Sequence, residues 1–255
     1  MFVDVNCHLS FPDFDPDREE IIRQMTESGL ALLIDPGTDA ESSRKSIGLA
    51  AGHPVIYANV GLHPHETSEP IAETTFDELA GLARSPKVVG IGEIGLDYHY
   101  PDCNIRHQQD AFRTMLRMAK QLDLPAVIHC REAWVDLFRI LEEEKHSSLR
   151  GMMHCFSGDP AIARRCVQLG FAISIPGTVT YKRSMLPEVI HEIPVSQLLT
   201  ETDAPYLSPV PHRGKRNSPL YVHLITERIA AIKNMRVEET AACIARTAAG
   251  LFGIG

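Results

Sequence analysis

The side chains best suited to chemistry in this 255-residue chain gather near the ends of short apolar runs. The run 2–8 carries Asp4, Asn6 and His8 at alternate positions, and the run 55–64 leads into His63 and His65. VVGIGEIGLD holds Glu93, with Gly95 and Asp97 two and four residues on; AVIHCR holds His129 and Arg131. MMHC ends in His154 and its cysteine, and LLTETD supplies Glu201 and Asp203. Imidazole and carboxylate are the ligands of zinc, manganese and related divalent ions. Brought together without a cation, such groups would repel or lose hydration uncompensated. A lone histidine closing an apolar strand is ordinarily a core residue, but recurrence at one run after another points to a metal centre.

The elements that must position these groups alternate along the chain. Eight apolar runs, at 2–8, 30–37, 55–64, 88–97, 125–131, 151–156, 171–178 and 198–206, are each separated by a helical pattern. Asp15-Pro16 and Asp159-Pro160 read as helix starts, and Gly29 and Gly170 as stops. Phe112, Met115, Leu116, Ala119 and Leu122 follow the 3.6-residue period, Ser218-Pro219 opens another helix, and residues 237–252 form a last one. Eight strands alternating with helices predict an α/β fold, a single (β/α)8 TIM barrel over residues 1–255, with a doubly wound open sheet as the alternative. In a barrel the catalytic groups sit at the C-terminal strand ends, where the side chains above stand.

Gly90, Gly92 and Gly95 have the G-x-G-x-x-G spacing of a dinucleotide turn, but no helix opens directly after them, as that turn requires. Their expected use is close backbone approach beside Glu93, whose two oxygens suit it to bridge two ions.

GLHPH (61–65), GEIGLDY (92–98), PAVIHCR (125–131), MHCFSG (153–158), TETDAPYL (200–207) and HRGKRNSP (212–219) together resemble the TatD family of metal-dependent hydrolases. These barrel enzymes are related to the amidohydrolases, and many are deoxyribonucleases. The resemblance spans almost the whole chain. It implies metal ligands at His8, Glu93, His129, His154 and Asp203, one or two divalent ions (Zn, Mg or Mn), and contact of His63 and His65 with the scissile phosphate. The family opens with two histidines one residue apart. Here Asn6 holds the first of those positions, a poorer ligand for a zinc-like ion, which leaves either one weakly held ion or a single-metal enzyme.

The reaction expected is hydrolysis by metal-activated water, with Asp203 and Glu93 as the catalytic carboxylates and Asp203 orienting or deprotonating the water. Glu201 is expected to fix a ligand histidine or to be a barrel-layer carboxylate. Arg131 is read either as a phosphate contact or as half of a structural ion pair. Arg213, Lys215 and Arg216 form a basic cluster after the eighth run, suited to steering phosphate or simply solvated. DNA, as single strands or ends, is the expected substrate. A small-molecule lactonase, amidase or phosphotriesterase, and a catalytically idle metal-binding protein, stay open.

Net charge of −8 excludes a broad basic nucleic-acid surface. No apolar run is long enough for a membrane span and no basic leader precedes the first run, so the expectation is a cytoplasmic protein with no membrane contact. No obligate protein partner is implied. The six cysteines contain no C-x-x-C pair and read as reduced packing thiols.

Overall fold

The computed structural model describes residues 1–254. Eight parallel strands, β1 (Phe2–Asp4), β2 (Leu30–Pro36), β3 (Ile56–Val60), β4 (Val88–Asp97), β5 (Ala126–Arg131), β6 (Gly151–Met153), β7 (Phe171–Ile175) and β8 (Leu198–Thr200), run in the order β1 to β8 in one sheet. Thr200 returns to the first strand: Val5 N–H donates to its carbonyl at 3.0 Å, and its hydroxyl donates to the Val3 carbonyl at 2.8 Å. Strand order, this return and the intervening helices make the fold a (β/α)8 barrel.

The chain divides into two compact units, residues 1–35 with 155–255 and residues 36–154. The first holds β1, β2, β7 and β8 with α1 (Arg18–Glu27), α6 (Pro160–Gln168), α7 (Leu186–Glu192), α8 (Val222–Lys233) and α9 (Val237–Phe252). The second holds β3 to β6 with α2 (Ala40–Gly52), α3 (Glu73–Leu82), α4 (Ile105–Leu122) and α5 (Trp134–Glu143).

Local chemistry explains these elements. Asn104 caps α4 by accepting the His107 N–H, Phe112, Met115, Leu116 and Ala119 form its buried stripe, and Asp123 ends it in the left-handed region at φ 52. Asp159 caps α6 through the Ile162 N–H, with Pro160 in its first turn, as the sequence predicts. In β4 all ten residues are buried, the mark of a parallel strand covered on both faces. No described helix is long and apolar enough to cross a membrane.

Two expectations need correction. Helix α1 starts at Arg18 rather than at Asp15-Pro16. Residues 12–14 form a 3-10 turn, and Arg18 holds the loop before it by donating to the Leu9 and Phe11 carbonyls at 2.8 and 2.9 Å. Strands β1, β3, β6, β7 and β8 stop short of the polar tails assigned to them. Pro64 lies in the first turn of a 3-10 turn capped by His63, while Cys155 (φ 45) and Asp203 (φ 54) take left-handed conformations that no strand accommodates. The polar tails are the loops that leave the strands.

Candidate active site

In the unit 36–154, the site is built on the end of β4. Glu93 is buried and its backbone N–H donates to the Gly37 carbonyl at 3.0 Å. Glycines let the backbone close around it. A Cβ on Gly61 would enter the Gly92–Glu93 peptide, one on Gly92 would meet Val127, and one on Gly95 (φ 139) would meet the His129 backbone. The G-x-G-x-x-G spacing therefore serves strand packing, and β4 continues through all three glycines.

Two imidazoles face the Glu93 carboxylate, His154 Nε2 at 3.5 Å from Oε1 and His63 Nε2 at 3.9 Å from Oε2. Two more share the neighbouring carboxylate. His129 Nε2 and His65 Nε2 lie 3.0 and 3.1 Å from Asp97 Oδ2, and the His99 N–H donates to Oδ1 at 3.0 Å. Burial raises the Asp97 pKa, but hydrogen bonding from His129 and the His99 amide and the charge of the two imidazoles outweigh it and hold the carboxyl well below its ordinary range. An ionised Asp97 accepts, so His129 carries its proton on Nε2 and offers Nδ1 as its lone pair.

His63 is held differently. Its Nδ1 accepts the His65 backbone N–H at 3.2 Å, so in the neutral ring Nε2 carries the proton and is a donor. Burial first, then the neighbouring His129, pushes its pKa well below 6.5 against the opposing pull of Glu93. His63 thus stands as a neutral N–H donor, a form suited to a phosphoryl oxygen and not to a cation. Arg131 leaves β5 with its guanidinium carbon 5.9 Å from the centre of the Tyr100 ring.

In the unit of residues 1–35 and 155–255, His8 Nε2 lies 3.5 Å from Asp203 Oδ1. Asp203 is locked in its left-handed conformation: its N–H donates to the Asn6 carbonyl at 2.9 Å, and its own carbonyl accepts the Tyr206 N–H at 2.9 Å. Asn217 braces the same loop by donating to the Thr202 and Tyr206 carbonyls at 2.8 and 2.6 Å. Sequence reasoning assigned nothing to Asn217, because a loop residue acting on backbone leaves no periodic signal. Asn6 is fully buried. Glu201 accepts the Cys155 N–H at 2.5 Å and the Ser174 hydroxyl at 2.6 Å, and so holds the backbone directly after His154.

Asp4 is buried between the Thr202 N–H and hydroxyl, 2.9 and 2.6 Å away, and burial pushes its pKa up to about 8 despite those bonds. Of the basic cluster, Arg216 is bound to Asp17 and the Asp13 carbonyl and lies over Phe14, which removes it from any free patch. Arg213 stacks over Tyr181 at 4.6 Å, and Arg213 and Lys215 are both exposed. None of the six cysteines forms a disulfide among the described residues.

The donor set fits a divalent ion. Two ligand atoms each about 2.1 Å from a tetrahedral ion lie about 3.4 Å apart. His8–Asp203 and His154–Glu93, both at 3.5 Å, are at that spacing and too long for hydrogen bonds. His129, oriented through its far nitrogen by a carboxylate, has the usual support of a metal-ligating histidine.

Comparison with known proteins agrees in extent and kind. The family model for TatD related DNase matches residues 3–253. The uncharacterized metal-dependent hydrolase YabD of Bacillus subtilis (strain 168) is 38% identical over 255 residues, covering 100% of both chains. The 3'-5' ssDNA/RNA exonuclease TatD of Erwinia amylovora is 35% identical over 258 residues, covering 98% of this chain and 99% of that one. The crystal structure of YjjV, a TatD homologue from Escherichia coli K12, superposes with a TM-score of 0.94 at 32% identity, covering 100% of this chain and 98% of its own. The chain belongs to the TatD-related DNase family.

Proposed function

We propose that this protein is a divalent-metal-dependent nuclease that hydrolyses phosphodiester bonds of single-stranded DNA or DNA ends, with His8, Glu93, His129, His154 and Asp203 as the metal ligands. The observation that carries the reading is the Asp97–His129 pair beside Glu93 and His154: one carboxylate fixes an imidazole while its neighbours stand at co-ligand spacing. The chemistry a bound ion supplies is Lewis-acid polarisation of a phosphoryl oxygen and acidification of a water. The side chains do the rest. Asp203 orients the attacking water and takes its proton as the new P–O bond forms and the leaving P–O bond breaks. His63 donates a hydrogen bond from its Nε2–H to a phosphoryl oxygen, Arg131 offsets phosphate charge, and the leaving oxygen, which keeps the electron pair of the broken bond, takes its proton from solvent. Arg213 and Lys215 supply local positive potential in an otherwise acidic protein. A cytoplasmic location suits six cysteines that form no disulfide among the described residues.

The test is hydrolysis of labelled single-stranded DNA, RNA and ester or lactone substrates by protein carrying Mg²⁺, Mn²⁺ or Zn²⁺, and by protein held in EDTA. Elemental analysis of the protein as purified identifies the ion and its count. Expected are cleavage of the nucleic acid, loss in EDTA, and a fall in kcat of about 10²–10⁴-fold in Asp203→Asn. Hydrolysis of lactones or esters alone would replace the nuclease with a small-molecule hydrolase. Silence on every substrate would leave a metal-binding protein without this chemistry.

A further inference from the structure

Tyr100 is large, aromatic and 45% exposed, yet it is not loose. His65 and His99 set their rings edge-on to it, with centroids 5.1 and 5.2 Å away and interplanar angles of 80° and 82°. Beside it, between the loops leaving β3 and β4, opens a cleft of about 300 Å³ whose lining includes Pro64, His65, Tyr100 and Gln108 together with the exposed Ser68 and Asp102. That volume is at the small end of ligand sites and suits one planar ring system. A stiff exposed aromatic over a small cleft contributes little to the fold and presents a flat apolar face.

The amide side chains that line the cleft are already committed. Gln108 accepts the Asp97 N–H at 2.8 Å and donates to the Asp97 carbonyl at 2.9 Å. Asn104 Oδ1 caps α4, and His107 Nδ1 faces the Ser68 carbonyl at 3.1 Å. What the cleft offers a base is the face of Tyr100, with Ser68 and Asp102 the exposed polar side chains of its lining. Its neighbours handle charge: Arg131 lies over Tyr100, and His65 shares Asp97 with His129.

We propose that this cleft is a nucleobase subsite, in which one base of single-stranded nucleic acid stacks on Tyr100 while the adjoining phosphate passes Arg131 and His65 toward His129. The inference rests on the nuclease reading and adds what that reading lacks, a sequence-tolerant grip on the strand. Stacking on a ring face ranks bases by ring size, purines above pyrimidines, and tolerates every sequence because each base has such a face.

The experiment measures kcat and KM of the metal-loaded enzyme on short single-stranded oligonucleotides, together with fluorescence quenching of a 2-aminopurine placed in phosphorothioate-linked versions of them. Tyr100→Ala should raise KM about tenfold while kcat falls far less, and should abolish the quenching. Tyr100→Trp should retain both. If wild-type protein cleaves these strands but Tyr100→Ala keeps its KM and its quenching, or loses only kcat, the subsite is wrong and the nuclease stands. If wild-type protein cleaves no nucleic acid, both fall.

Discussion

His65 and His129 meet one carboxylate oxygen, Asp97 Oδ2, while the other oxygen of Asp97 takes the His99 amide. An asparagine there could not satisfy all three donors. Its carbonyl could serve either the imidazoles or the amide, and its NH₂ would then confront the rest. Asp97→Asn should therefore lower divalent-metal affinity about 10–100-fold, measured by titration of the stripped protein, with its fold kept by circular dichroism. An unchanged Kd would show that His129 needs no such support. The sequence placed Asp97 on the same side as Glu93 and expected both His63 and His65 at phosphate. It could not show that His63 and His65 differ in kind, one a buried neutral donor and the other an exposed ring tied to Asp97, because that depends on a three-residue turn at Pro64. Tyr100 was invisible for a similar reason. Exposure and edge contacts made by a loop leave no period in the chain.

Strand ends are where the elements depart most from expectation. Apolar runs reveal where strands begin, since the buried faces of a parallel sheet need unbroken hydrophobic residues. They do not reveal where a strand gives way to a loop, because the polar tail stays buried too, as Asn6, His8, Glu201 and Asp203 do. Backbone proximity, in contrast, is legible as glycine. Gly95 pairs with His129 in the ladder at φ 139, and any side chain there would run into the His129 carbonyl. Gly95→Ala should destabilise the protein by about 2–4 kcal/mol in urea unfolding, through overpacking and backbone strain together. A loss below about 0.5 kcal/mol, the size of a surface substitution, would mean that β4 and β5 can part without cost.

The fold of the whole molecule was the most legible level, since eight repeats of one strand–helix pattern reinforce one another where a single element is ambiguous. Its pH response was not legible, because it depends on buried groups such as the carboxyl beneath Thr202. Asp4 keeps its proton in the folded state up to about pH 8, whereas its ordinary value is 3.8. Between those values the folded chain binds more protons than the unfolded one, so stability falls as pH rises, and outside them the dependence on this group vanishes. Asp4→Asn mimics the protonated form. In EDTA, its stability advantage over the wild type should grow with pH across that window by at most about 1.4 kcal/mol per unit, read from urea midpoints. A difference independent of pH would mean that Asp4 is ionised throughout. The division of the chain also fixes an order of events on the ribosome. Residues 1–35 belong with residues 155–255, and the Val3 carbonyl waits for the Thr200 hydroxyl. At about 5–20 residues per second, the first strand emerges on the order of ten seconds before β8, its second neighbour, exists. Until then β1 has only β2 beside it, and His8 meets Asp203 only after some two hundred further residues have been made.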